Sequence, residues 1–181
     1  MTPAAPTWPG DPCRLAQPGD TLRELLSKVL TAHLGELQYF TPLAVLGRNP
    51  EGVHQMRVAT RRLRLLLRAY GAWLPKPVRE HLPTELCWLG DLLAPVRDID
   101  VHLRQLQATE KLVKPPQQLV IKRLLLKRRP RRRRARHILL AGLRSERFTR
   151  LLGDLQQVAE DLVTLSPAPA GLDRPAATIA L

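Results

Sequence analysis

Apolar residues recur at helical spacing along most of this chain, and the polar positions between them gather into faces instead of alternating as they would in a strand. In LRELLSKVLTAHLGELQ, Leu22, Leu25, Leu26, Val29, Leu30 and Leu34 share one side, and Thr21 with Glu24 forms a capping-box pattern. This predicts a first helix from Thr21 to about Phe40. Thr41 to Gly52, with Pro42, Gly47 and Pro50, is read as a break. A second helix opens near Glu51 and is ended by Pro75 and Pro77. A third starts near Val78 and turns Leu82, Leu86, Leu89, Leu92 and Leu93 to the core, then Val96, Ile99, Val101, Leu103 and Leu106, with Pro95 expected to kink or divide it. After Pro115 and Pro116 comes QQLVIKRLLLKRR, then Pro130, then a long helical stretch to about residue 165 that breaks near Ser145. Five prolines in residues 1–19 predict a flexible leader, and the Pro/Ala-rich, aperiodic residues 166–181 predict a disordered tail. The folded unit is thus expected over 20–165.

Composition supports one class. Hydrophobic content is 44% and dominated by leucine, while aromatics make up only 4%, which favours helix packing over sheet formation. The expectation is an all-α protein, an antiparallel bundle of about four to six helices. The two cysteines, Cys13 and Cys87, stand in unrelated contexts and imply neither a disulfide framework nor a metal cluster. The first residues lack the basic start and apolar run of an export signal, and no apolar stretch approaches ~18 residues. These features lead us to expect a cytoplasmic protein.

The net charge of +13 changes the picture because of where it sits: Lys111 to Arg144 holds 13 Lys/Arg and no acid, whereas the remainder carries 16 of each sign. A second cationic feature is periodic. His54, Arg57, Arg61, Arg64 and Arg68 recur at spacings of three and four and fall within one helical sector of roughly 80°, with Met56, Ala59, Leu63, Leu66, Leu67 and Tyr70 opposite. No acid lies between Glu51 and Glu80. Like-charged neighbours in this row cost the helix on the order of 1–2 kcal/mol in total, so an anionic partner is expected. Candidates are inorganic polyphosphate, nucleic acid and acidic membrane.

With that stripe on a helix and VRDIDVHLRQL after it, the chain resembles the CHAD family, the conserved histidine α-helical domain. Two blocks carry the resemblance, EGVHQMRVATRRLRLLLRAY and LCWLGDLLAPVRDIDVHLRQL, with the looser LLAGLRSERFTRLLGDLQ behind them. The resemblance implies two helical-bundle halves related by an internal repeat, their basic residues facing a shared groove that binds inorganic polyphosphate. Carried onto this sequence, it points to His54, Arg57, Arg61, Arg62 and Arg64 in the first block, and to Arg97, Asp98 and Asp100 in the second. No second histidine-and-arginine helix follows Arg150, so the chain reads as one complete half plus the opening helix of the next: a shortened member, a truncated reading frame, or a protein that completes the groove by self-association with another copy.

Arginine suits phosphate because its planar guanidinium stays charged and bonds two oxygens at once; Arg68 continues the row and is counted with it. His54, near a helix start, can join the free N–H groups in holding an anion, or serve as a structural hydrogen-bonding residue. Arg97 is assigned to the groove. Asp98 or Asp100 is expected to hold arginines of the second helix, with a catalytic carboxylate pair as the sharper alternative. The run Lys127, Arg128, Arg129, Arg131, Arg132, Arg133, Arg134 and Arg136 reads as an auxiliary polyanion or nucleic-acid patch, partly frayed by Pro130 and mutual repulsion. The expected function is a non-enzymatic polyphosphate-binding module with no cofactor and no metal. A nucleic-acid-binding protein and the accessory half of a phosphohydrolase are the alternatives.

Overall fold

The computed structural model describes residues 17–164 and 172–175; the leader up to residue 16 and the remaining tail positions lie outside the described residues. The described residues form five α-helices and one 3-10 turn: α1 (Leu22–Leu46), α2 (Glu51–Tyr70), the turn (Gly71–Trp73), α3 (Lys76–Glu110), α4 (Pro115–Leu143) and α5 (Glu146–Thr164). The all-α expectation holds. α2 lies between α1 and α3, while α5 packs on α1 and α3 and closes the bundle; α4 rests chiefly on α3.

α1 begins as the sequence predicts: the Glu24 N–H donates to Thr21 Oγ1 at 3.3 Å, and the Thr21 N–H donates to Glu24 Oε2 at 2.8 Å. It does not stop at Phe40. The helix passes through Pro42 and ends at Gly47, whose φ of +65° is the left-handed conformation that glycine tolerates. Phe40 and Ala44, on either side of the proline, are both buried, and their burial offsets the hydrogen bond that Pro42 cannot make. The same reason applies to Pro95: α3 is undivided there because Leu82, Leu86, Leu89, Leu93 and Val96 form one unbroken buried stripe. Pro130 likewise sits inside α4, whereas the break expected near Ser145 is present between α4 and α5.

Two helices meet unusually closely at Gly52. A Cβ there would lie 2.5 Å from the backbone N of Ala44 and 2.8 Å from the carbonyl carbon of Leu43, so the α1–α2 crossing requires a residue without a side chain. Part of the expected tail is also ordered. Leu172 is buried, its carbonyl accepts from the Arg23 N–H at 3.0 Å, and the Arg174 carbonyl accepts from the Leu22 N–H at 3.0 Å. These bonds satisfy first-turn donors of α1 that helix geometry leaves open, which is why 172–175 departs from the tail reading.

α3 and α4 outrun the bundle as a hairpin. Beyond Asp100 no residue of α3 is buried, and Ile121 is the single buried residue between Asp100 and Leu139.

The Gly52 contact predicts that Gly52→Ala lowers unfolding free energy by about 1–3 kcal/mol. Gly153→Ala, on α5 with nothing within 4 Å of the new methyl, should raise it by about 0.5–1 kcal/mol. Chemical denaturation of the two variants beside the unsubstituted chain checks both signs.

Candidate anion-binding groove

The burial of Met56, Ala59, Leu63 and Leu67 rotates the opposite side of α2 outward. Arg57, Arg61, Arg64 and Arg68 are exposed there, and no acid of the described residues forms an ion pair with any of them. Across from them stands α3. A cavity of about 400 Å³ lies between the two helices, lined by His54, Arg57, Arg61, Arg64, Arg97 and Asp98 among others. It continues into a concavity of about 890 Å³ that shares Arg61 and Arg64 and adds Arg68, Arg79 and Cys87. Together they form one groove with cations on both walls.

Arg97 is the most telling member. Its Nη1 is fully buried and has no hydrogen-bond partner in the described structure, a situation that costs about 1–3 kcal/mol or more for a charged donor. An anion oxygen in the cavity would satisfy it. Beside it, the His54 imidazole is held below histidine's ordinary 6.5, first by burial and then by Arg97, Arg104 and Arg57, with Glu51 pulling the other way. The imidazole is therefore neutral at pH 7, surrounded by guanidinium charge. Its depressed value has a stability consequence: above 6.5 both folded and unfolded chains carry it uncharged, and as pH falls below 6.5 the folded chain resists the proton and loses stability relative to the unfolded one.

Two of the residues expected in the site, Arg62 and Asp100, are engaged elsewhere, and Asp98 lines the cavity without the expected partner. Arg62 sits on the flank of α2 facing α1, where its Nη1 lies 3.6 Å from the buried Glu36 carboxylate, itself 3.1 Å from His33 Nδ1. A step of one residue turns a helical side chain by about 100°, enough to remove Arg62 from the row. Asp100 does not hold α2; it accepts from Nε and Nη2 of Arg132 on α4. Asp98 lines the cavity and forms no ion pair, so the role of clamping α2 arginines falls to neither aspartate.

The cationic run on α4 is helical instead of frayed. Two of its members have structural work: Arg132 on Asp100, and Arg136, whose guanidinium donates to the carbonyls of Ala44 and Val45 and lies against Gly47. It thereby caps the end of α1. Lys127, Arg129, Arg131, Arg133 and Arg134 are exposed, and Arg128 is half-buried.

Sequence reasoning missed Arg79 and Arg104. The signal was present, since Arg79, Arg97 and Arg104 are spaced by 18 and 7 residues and project within about 20° of one another on α3. It was hidden because no local acid-free row marks it.

The profile of the CHAD domain matches residues 28–181. The chain belongs to the CHAD family. Among solved structures it is similar to the CHAD domain of the plant Ricinus communis, with 29% identity, a TM-score of 0.70, and coverage of 86% of this chain and 51% of that one. The chain thus spans about half the length of the CHAD-domain structure it matches. A comparison with curated proteins finds no match.

If Arg97 and its neighbours set the His54 potential, Arg97→Gln moves the His54 titration upward toward 6.5, and an added polyanion moves it upward in the unsubstituted chain. NMR of the His54 ring protons across pH reads both, and a titration unmoved by either change contradicts the electrostatic assignment.

Proposed function

We propose that this CHAD-family chain binds inorganic polyphosphate along the α2–α3 groove without transforming it. The supporting observation is the pair of facing cationic walls with no acid of the described residues paired to the α2 row, closed at one end by Arg97 Nη1, which has no hydrogen-bond partner among the described residues. From His54 to Arg68 the row extends about 21 Å along the helix axis, room for several successive phosphates of a linear polymer. Each guanidinium can bridge neighbouring phosphoryl oxygens, and the neutral imidazole of His54 can donate one N–H to a further oxygen. Binding is multivalent, and its favourable free energy comes largely from released counterions. The proposed setting is the cytoplasm, at polyphosphate granules, and the resemblance to the family supports the choice of polymer.

A second reading has its own observation. The exposed cations Lys127, Arg129, Arg131, Arg133 and Arg134 on α4 offer a nucleic-acid patch separate from the groove. Aromatic side chains for base stacking are not interleaved with them, so this patch would contact backbone phosphates. A role as accessory to a phosphohydrolase rests on the family resemblance alone.

Reversal of the row, Arg57→Glu with Arg61→Glu and Arg64→Glu, should weaken binding of long-chain polyphosphate on the order of 100-fold, and raising salt should weaken the unsubstituted complex steeply. These positions are exposed, so the variant is expected to fold. Fluorescence anisotropy with labelled polyphosphate measures the change, and equal affinity of variant and parent refutes the groove assignment. Duplex DNA that displaces polyphosphate at equal phosphate concentration would shift the reading to the α4 patch.

A further inference from the structure

The α3–α4 hairpin is unexplained by the groove. From Asp100 to the end of α3 at Glu110 it extends about 15 Å past the last buried residue of the helix, and the turn beyond carries the most exposed large apolar residue described, Leu112 at 86%. Leu119 and Val120 follow at 54% and 57%, with Leu124 and Leu126 further along α4. Lys111, Lys114, Lys122, Arg123 and Lys127 flank these residues in sequence and are all exposed, and the nearest acid in sequence, Glu110, lies 4.0 Å from Lys122. Single exposed leucines are ordinary; a group of them on a projecting arm, flanked by five cations and one acid, is not.

Charge and shape select the occupant. A second copy would bring the same flanking cations against these, so like-charge repulsion opposes self-pairing at the tip. The apolar side chains also spread around α4: Leu119 and Leu126 project about 100–160° away from Val120 and Leu124. They line none of the concavities described above. A rigid partner would need a socket to meet both flanks, whereas the headgroup layer of a bilayer adapts to a convex wedge. No helix among the described residues is long and apolar enough to cross a membrane, and an arm of about 15 Å exceeds the ~5–10 Å depth of interfacial insertion. The body of the bundle would stay in water.

We propose that the α3–α4 hairpin docks on an anionic lipid surface, with Leu112, Leu119 and Val120 entering the boundary between headgroups and acyl chains and Lys111, Lys114 and Arg123 meeting lipid phosphates. This surface is independent of the polyphosphate groove, and the two could hold a bilayer and a soluble polymer at once.

The test uses the full chain with vesicles of phosphatidylcholine alone or with about a third phosphatidylserine. At about fivefold in partitioning per basic residue near an anionic surface, sedimentation with the anionic vesicles should exceed that with neutral ones by on the order of 100-fold. In Leu112→Trp, the difference emission spectrum against the parent should shift to the blue with anionic vesicles and stay unchanged with polyphosphate. The variant Leu112→Ser with Leu119→Ser and Val120→Ser, all at exposed positions, should keep its helical circular dichroism and its polyphosphate affinity while partitioning falls about tenfold or more. Arg57→Glu with Arg61→Glu and Arg64→Glu should still dock, which separates failure of this proposal from failure of the groove. Equal partitioning of the serine variant, or no blue shift on anionic vesicles, overturns insertion. A blue shift of Leu112→Trp on raising protein concentration without lipid shows a second copy on the tip and overturns it too.

Discussion

Burial of one side of α2 holds the cationic face of this protein in place. Met56, Ala59, Leu63 and Leu67 are almost fully enclosed, and α2 packs between α1 and α3. At about 1.5–3 kcal/mol for each large side chain removed from water, that burial outweighs the on the order of 1–2 kcal/mol of repulsion among the arginines opposite. The cationic row survives because its cost is borne by packing on the other side of the same helix. Loosening that contact would let the row splay or seek local acids, and the groove would lose its alignment.

The acids of the bundle are distributed so that they leave the row alone. Glu36 takes Arg62 on the α1 side, Asp100 takes Arg132 beneath α4, and Glu85 takes Arg147 with bonds of 2.6 and 3.0 Å. The last pair holds the Glu85 carboxyl below its ordinary range through the Arg147 hydrogen bond, and Arg147 also stacks over Trp88 at 4.4 Å. Each of these carboxylates anchors a helix contact. Among the described residues, the groove is left lined by cations, the neutral His54 and the Asp98 carboxylate, which forms no ion pair.

The prolines show how tertiary packing overrides a local rule. Pro42 is read from sequence as part of a break, Pro95 as a kink or division and Pro130 as a source of fraying, and all three lie inside continuous helices. Around Pro42 and Pro95, buried residues continue in phase on both sides of the proline, and one missing hydrogen bond is small against that burial. Where burial is absent, as at Gly47 with its left-handed backbone, the helix does end. The carbonyls released there are met by Arg136, a residue of the cationic run whose structural role composition gives no hint of.

Much of the fold and part of the site were legible in the residue order. The capping box at Thr21, the start of α2 near Glu51, the break near Ser145 and the one-sided cation row on α2 are local features, written within a few helical turns, and helical periodicity is a local physical rule. The groove's second wall was less legible, because Arg79, Arg97 and Arg104 become neighbours of the row only when α3 folds back beside α2. Which arginines stay free was not legible at all. The partners of Arg62, Arg132 and Arg136 lie 26, 32 and about 90 residues away in sequence, and carboxylate or carbonyl capture acts over a few ångströms of space. The chain's own order therefore determined the helices and the charge each face carries; the packed bundle decided which charges are spent on structure and which stay exposed on the groove, because only packing sets those distances.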